Sequence, residues 1–272
     1  MIICKKFFMG SLFQNPAGSE KDGLTSAFSR LALLKKPLVT MVIFMMVTMA
    51  WAQQSSTDGE ISVEESYLQQ SIENMIIRDQ SRTGGRDEKL IAMEYIEDAI
   101  SRGNTSKEVL DALEYLSLEG LTNKTRENGR VINNFPDIRK RAVTNLGNIG
   151  TPEAKNTIIR LVISEPEPMV LTEAFKSLAK IGLNENGETV NAIAWVVNRF
   201  ESGRGDEQMA ISALEAFEIL SEKNKGVINN TAITTISRIA SSNHYNRLIR
   251  DQARLVLDKL RLQAAEVQSK NK

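Results

Sequence analysis

The sequence predicts an all-α chain folded as an α-solenoid, a stack of antiparallel helix pairs with about four to five repeats. Three observations carry this. Apolar residues make up 42% of the 272 and aromatics only 6%, while the 6 prolines and 16 glycines fall between apolar blocks. A β-sandwich needs many more turns and β-branched alternation. One submotif recurs along the chain, and each copy is followed by a second amphipathic run.

The elements follow in order. Lys35 and Lys36 form a positive edge, residues 37–49 are mostly apolar, and Ala50-Trp51-Ala52 places small residues at positions −3 and −1 of a cleavage site. This is the pattern of a secretory signal peptide cleaved after Ala52. Residues 1–52 are therefore read as a leader with an atypically long N-terminal extension, which a true start nearer Leu31 or Lys35 would remove. The apolar run falls short of the ~20 residues of a spanning helix, so retention as an uncleaved anchor is the alternative. Residues 53–63 read as a polar linker, 64–262 as the solenoid, and 263–272 as a flexible tail at a frayed helix end.

Within the solenoid, Ala142-x-x-x-Leu146-x-x-Ile149 is followed by Gly150, and Ala174-x-x-x-Leu178-x-x-Ile181 by Gly182. Ala213, Phe217 and Leu220, then Ala253, Leu257 and Leu260, repeat the spacing, with successive alanines 32, 39 and 40 residues apart. Weaker copies begin at Ala92 and Ala112. Positions i, i+4 and i+7 share one helix face, and a small Ala there admits a close neighbour. Second runs follow, such as Ala154, Ile158 and Leu161, then Val190, Ile193, Val197 and Phe200. Gly150 suits the left-handed position past a helix C-terminus, and Thr151-Pro152-Glu153 supplies an N-cap, an N1 proline and an acidic first turn. A phosphate loop needs a preceding strand and a Gly-Lys-Ser/Thr ending, and neither is present. The link 164–174 is read as extended, with Glu165 and Glu167 solvated.

Arg141-Ala142-x-x-x-Leu146-Gly147-x-Ile149-Gly150-x-Pro152-Glu153-Ala154 resembles the HEAT repeat, in the short bacterial type similar to phycobilisome-lyase HEAT-like repeats. The resemblance is specific over 137–200, continues over 206–262 and is weak over 88–120. It implies a curved, right-handed stack whose second helices line the concave side. It also implies protein binding as the common role, with bilin lyases a minority. Nothing beyond the repeat itself matches a lyase site.

Charge and ligand counts exclude several classes. Residues 1–52 hold 6 basic and 2 acidic residues, which leaves 28 basic and 32 acidic in the remainder. A mildly acidic body has no global field for nucleic acid. The single cysteine, Cys4, and single histidine, His244, cannot assemble a Cys/His zinc site, and His244 reads as an exposed loop residue. Setting Gly187 at position 6 of a calcium loop puts Gly182 and Ile193 where carboxylates are required. No cofactor or metal is expected.

Two candidate sites remain. From Lys124 to Arg141, Arg126, Arg130 and Arg139 with Lys124, Lys140 and Arg141 face only Glu127 and Asp137, with Phe135 nearby. This break in the repeat rhythm reads as a loop for an acidic partner or, alternatively, as a solvated connection. On a helical wheel Trp195, with Arg199 beside it, lies off the core stripe and reads as an interface anchor or as packing against a flanking repeat. The functional expectation is a non-enzymatic scaffold of the bacterial periplasm or envelope. It binds a protein through the concave face and the 120–136 loop. The alternative is a lyase-like enzyme, or an enzyme-associated factor, holding a ligand in the groove.

Overall fold

The computed structural model describes residues 62–201, 205–224 and 229–270. The expected leader, its cleavage after Ala52 and the linker up to residue 61 lie outside the described residues. Ten α-helices and one short hairpin make up the described chain. They are α1 (Val63–Thr83), α2 (Arg86–Ser101), α3 (Lys107–Leu118), the strands β1 (Arg126–Glu127) and β2 (Arg130–Val131), then α4 (Pro136–Ile149) and α5 (Pro152–Ser164). α6 (Pro168–Ile181), α7 (Glu188–Glu201), α8 (Glu207–Lys223), α9 (Asn230–Ser241) and α10 (Arg247–Lys270) complete the stack.

Helix ends are set by local chemistry. Gly150 and Gly182 adopt φ of 76° and 78°, and their N–H groups donate to Leu146 and Leu178 carbonyls at 3.1 and 2.9 Å. A left-handed residue without Cβ strain closes each helix. Thr151 Oγ1 accepts from Ala154 N at 3.2 Å and Asp206 from Met209 N at 2.7 Å, capping α5 and α8. Proline stands at the first position of α4, α5 and α6, where its missing N–H leaves no helix bond unmade.

The helices pack in two layers. α2, α4, α6, α8 and α10 follow one another in the first, and α1, α3, α5, α7 and α9 in the second, with most sequential helices packed across the layers. The recurring alanines Ala92, Ala142, Ala174, Ala213 and Ala253 are all fully buried and all belong to the first layer. Ala112 does not: it sits on α3, so this weaker copy is the second helix of the pair that Ala92 opens. The 50 residues between Ala92 and Ala142 are explained by the hairpin inserted after α3. Phe175 and Phe217 anchor the core, each burial contributing about 1.5–3 kcal/mol. Residues 263–270, read as a flexible tail at a frayed helix end, continue α10, and Ser221 donates to Gln263 at 2.8 Å.

Gly147 has a different task from Gly150. It lies inside α4, and a Cβ built on it would stand 2.6 Å from Ser177 Oγ and 3.0 Å from Ser177 Cα on α6. The two first-layer helices touch there almost backbone to backbone. Gly147→Val is expected to lower the unfolding free energy by about 2–3 kcal/mol, through overlap that the well-packed neighbours cannot absorb. Urea unfolding of the variant beside the wild type measures the loss.

Candidate functional site

The expected basic loop folds as an antiparallel hairpin. Arg126 pairs with Val131 and Glu127 with Arg130 across the turn Asn128-Gly129, whose φ values are 49° and 81°. Two successive positive φ angles define a type I′ turn, which Asn-Gly favours because its twist matches that of the strands. Lys124, Arg126 and Arg130 are exposed on this hairpin. Arg126 Nη1 donates to Gly129 O at 3.2 Å, which stiffens the tip. Phe135 turns the other way and is partly buried against the core.

The rest of the expected basic cluster is dispersed. Arg139 is 1% exposed and Glu165, across from it, 0%. Arg139 Nε and Nη2 donate to the two Glu165 carboxylate oxygens at 2.7 and 2.9 Å. Its Nη1 donates to Asn134 Oδ1 at 2.8 Å and to the Glu119 carbonyl at 3.3 Å. Arg139 thus corrects the expectation that it faces a partner, and Glu165 corrects the reading of a solvated link. A buried guanidinium is tolerated because nearly all its donors are satisfied. Arg141 forms a forked pair with Glu97 at 3.0 and 2.8 Å, and this hydrogen bonding, more than any other contact, holds Glu97 below the usual carboxylate range.

A second buried pair lies at the hairpin root. Lys89 Nζ stands 3.3 Å from Glu119 Oε1, donates to the Ser81 carbonyl at 3.0 Å, and lies 5.6 Å from the centre of the Tyr115 ring. Burial pushes the Glu119 carboxyl above its usual value, and Lys89 works against that shift. Asn133 closes the hairpin base by accepting from Thr125 N at 2.9 Å and donating to Asn123 O at 2.6 Å.

The second layer presents its outer face beside this root. A cleft of about 450 Å³ is lined by Arg82, Glu114, Tyr115 and Arg160 from three helices and by Thr122 and Asn123 from the hairpin connection. Farther along, Trp195 on α7 is 48% exposed and Ile163 on α5 49%. Val190, Ile193 and Val197 of the same helix are fully buried, so Trp195 stands off the core stripe. Arg199 lies between these apolar groups: its guanidinium is 4.8 Å from the Trp195 ring centre and 5.1 Å from that of Phe200. Its Nη1 and Nη2 donate to the carbonyls of Ile163 and Glu165, both at 2.7 Å. It therefore caps the C-terminal end of α5, where a cation suits the helix dipole.

Arg199 belongs to a series. Arg160, Arg199 and Arg238 are each 39 residues apart, one on each of α5, α7 and α9. Each reaches back to the preceding second-layer helix or its end. Arg160 pairs with Glu114 at 2.7 Å, Arg199 holds the α5 carbonyls, and Arg238 donates to Asn198 Oδ1 at 2.9 Å and lies 3.8 Å from Glu201. The 39-residue period was readable in the sequence, as was the Asn-Gly turn, and neither entered the expectation. His244 is exposed in its loop, with Nδ1 3.1 Å from the Glu201 carbonyl. Among the described residues no group of His, Cys, Asp and Glu is arranged to hold a metal ion.

If the Arg139–Glu165 pair anchors this region, the two single variants Arg139→Met and Glu165→Met should each lose about 3–5 kcal/mol by leaving a buried charge alone. The double variant is expected to lose clearly less than the sum, and urea unfolding of all four proteins measures the coupling.

The family model for HEAT repeats matches residues 131–215, from β2 into α8. No curated protein matches the chain. The match spans less than a third of the chain; over it the sequence is similar to HEAT repeats, and the helices stacked in two layers make the fold an all-α, HEAT-like solenoid.

Proposed function

We propose that this chain is a non-enzymatic scaffold that captures a protein partner on its second-layer face, and that it works in the bacterial periplasm or envelope after export. HEAT repeats are helical scaffolds suited to protein interaction. The observation that carries the reading is the patch formed by Ile163, Arg199 and Trp195. Two large apolar side chains stand half exposed on neighbouring helices, while the arginine between them is fixed by two carbonyls. A rigid aromatic with an immobilised guanidinium loses little freedom on binding, the property of an interface anchor.

The hairpin adds charge. Lys124, Arg126 and Arg130 against Glu127 make its exposed arm basic on an otherwise acidic body. Its root opens onto the cleft that Tyr115 and Arg160 line, so the hairpin borders the same face as the apolar patch. The partner that fits is a protein segment with acidic side chains near an apolar anchor, steered by the arm and retained by the patch. Export rests on the leader pattern ending at Ala52.

Affinity capture from cross-linked cells, with fractionation of the envelope, tests both parts. Arg126→Glu with Arg130→Glu should abolish capture while leaving the melting temperature unchanged, and Trp195→Ala should weaken it about tenfold or more. Equal capture by these variants contradicts the binding reading. Recovery solely from the cytoplasm contradicts the export reading.

A further inference from the structure

Helix α1 has two apolar faces. One stripe, Glu73, Ile77 and Ser81, is buried against the stack. On the other side Tyr67, Leu68, Ile72 and Met75 are each more than half exposed. At 3.6 residues per turn, Glu64, Leu68, Ser71, Met75 and Arg78 fall on one line by alternating steps of four and three residues, with Tyr67 and Ile72 on its flanks. That is the spacing of a seam that receives another helix.

The seam is polarised. Its N-terminal end carries Glu64 and Glu65, and its C-terminal end Arg78 and Arg82. Neither glutamate nor Arg78 has an ion-pair partner among the described residues. Beside it a groove of about 550 Å³ runs between α1 and the start of α3, lined in part by Tyr67, Asn74, Met75 and Ser106. Asn74 Oδ1 and Ser106 Oγ are shielded from solvent there and make no hydrogen bond among the described residues. Buried polar atoms without partners are uncommon and point to a group that completes them.

We propose that the outer face of α1 is a homodimer interface, in which the α1 helices of two copies pack antiparallel across a two-fold axis at Ser71. Antiparallel pairing sets Glu64 and Glu65 of each copy against Arg78 of the other, whereas parallel pairing would set like charges together. The helix dipoles then also oppose one another. Ser71 is small, so the helices approach closely at the axis. Tyr67 falls opposite the partner's Met75 and beside its groove, where the phenol hydroxyl supplies the donor that Asn74 Oδ1 lacks and can accept from Ser106 Oγ. One patch serves both copies, so the contact closes at two. A single 21-residue helix gives a small interface, and the dimer is therefore concentration-dependent.

Analytical ultracentrifugation of the full chain, over about 1–200 µM, is expected to show the mass rise from one chain to two. Leu68→Glu and Arg78→Glu should each move the midpoint at least about tenfold upward without changing the melting temperature, because both side chains are exposed. Adding Glu64→Lys and Glu65→Lys to Arg78→Glu should restore the wild-type midpoint to within about threefold. In a Cys4→Ser background, Ser71→Cys should give a disulfide-linked dimer on mild oxidation, as its position on the axis requires. The proposal is overturned by a single-chain mass at every concentration, or by a dimer that charge reversal does not weaken. Chemical cross-links joining this face of α1 to residues 1–61 of the same chain would equally overturn it.

Discussion

A guanidinium and a carboxylate cannot both be buried unless they find each other, and the middle of this protein is built around one such pair. Arg139 comes from the first turn of α4 and Glu165 from the link between α5 and α6. Their forked contact satisfies both charges. The remaining groups then reach outward: Arg139 Nη1 holds the Glu119 carbonyl at the end of α3, and Glu165 takes the Glu167 N–H on its own carboxylate. The Glu165 carbonyl accepts from Arg199 on α7. Three successive helix pairs and the hairpin root thus meet at one ion pair. In a stack whose units otherwise contact only their neighbours, such a junction carries constraint farther than packing alone.

The arginines divide into two kinds by depth. Arg139 is wholly enclosed, where losing its partner would strand a charge in a low dielectric. Arg160 and Arg238 are half exposed, and pairs of that kind contribute at most about 1 kcal/mol each. Their value lies in registration: at the same point of each repeat, a side chain ties the helix to the one before it. Arg199 is intermediate and does two things at once. It closes α5 and fixes the plane against which Trp195 lies. A residue that looked like half of a binding anchor is the support for the other half.

Much of this architecture was legible in the sequence because it is periodic and local. Ala142, Ala174, Ala213 and Ala253 recur at helical spacing, and Gly150 with Thr151-Pro152 announces one helix end and the next beginning. The position of Trp195 off the core stripe was likewise a matter of wheel angle. What escaped depends on contacts between residues far apart in the chain. Nothing local distinguishes Glu165 from Glu167, yet one is enclosed because Arg139, 26 residues away, folds onto it. Ala112 with Leu116 repeats the first step of the Ala142 spacing but belongs to the other layer, since layer is set by connectivity and not by face. Gly147 resembles punctuation until Ser177 is seen against it.

A junction that ties three helix pairs and the hairpin to one ion pair should make them a single cooperative region. Native-state hydrogen exchange of the Arg139→Met variant, followed amide by amide, tests it most directly. Protection should fall together at the end of α3, at the hairpin root, in the link around Glu165 and at the C-terminal end of α7, while α9 and α10 keep theirs. Loss confined to the first turns of α4 would contradict it.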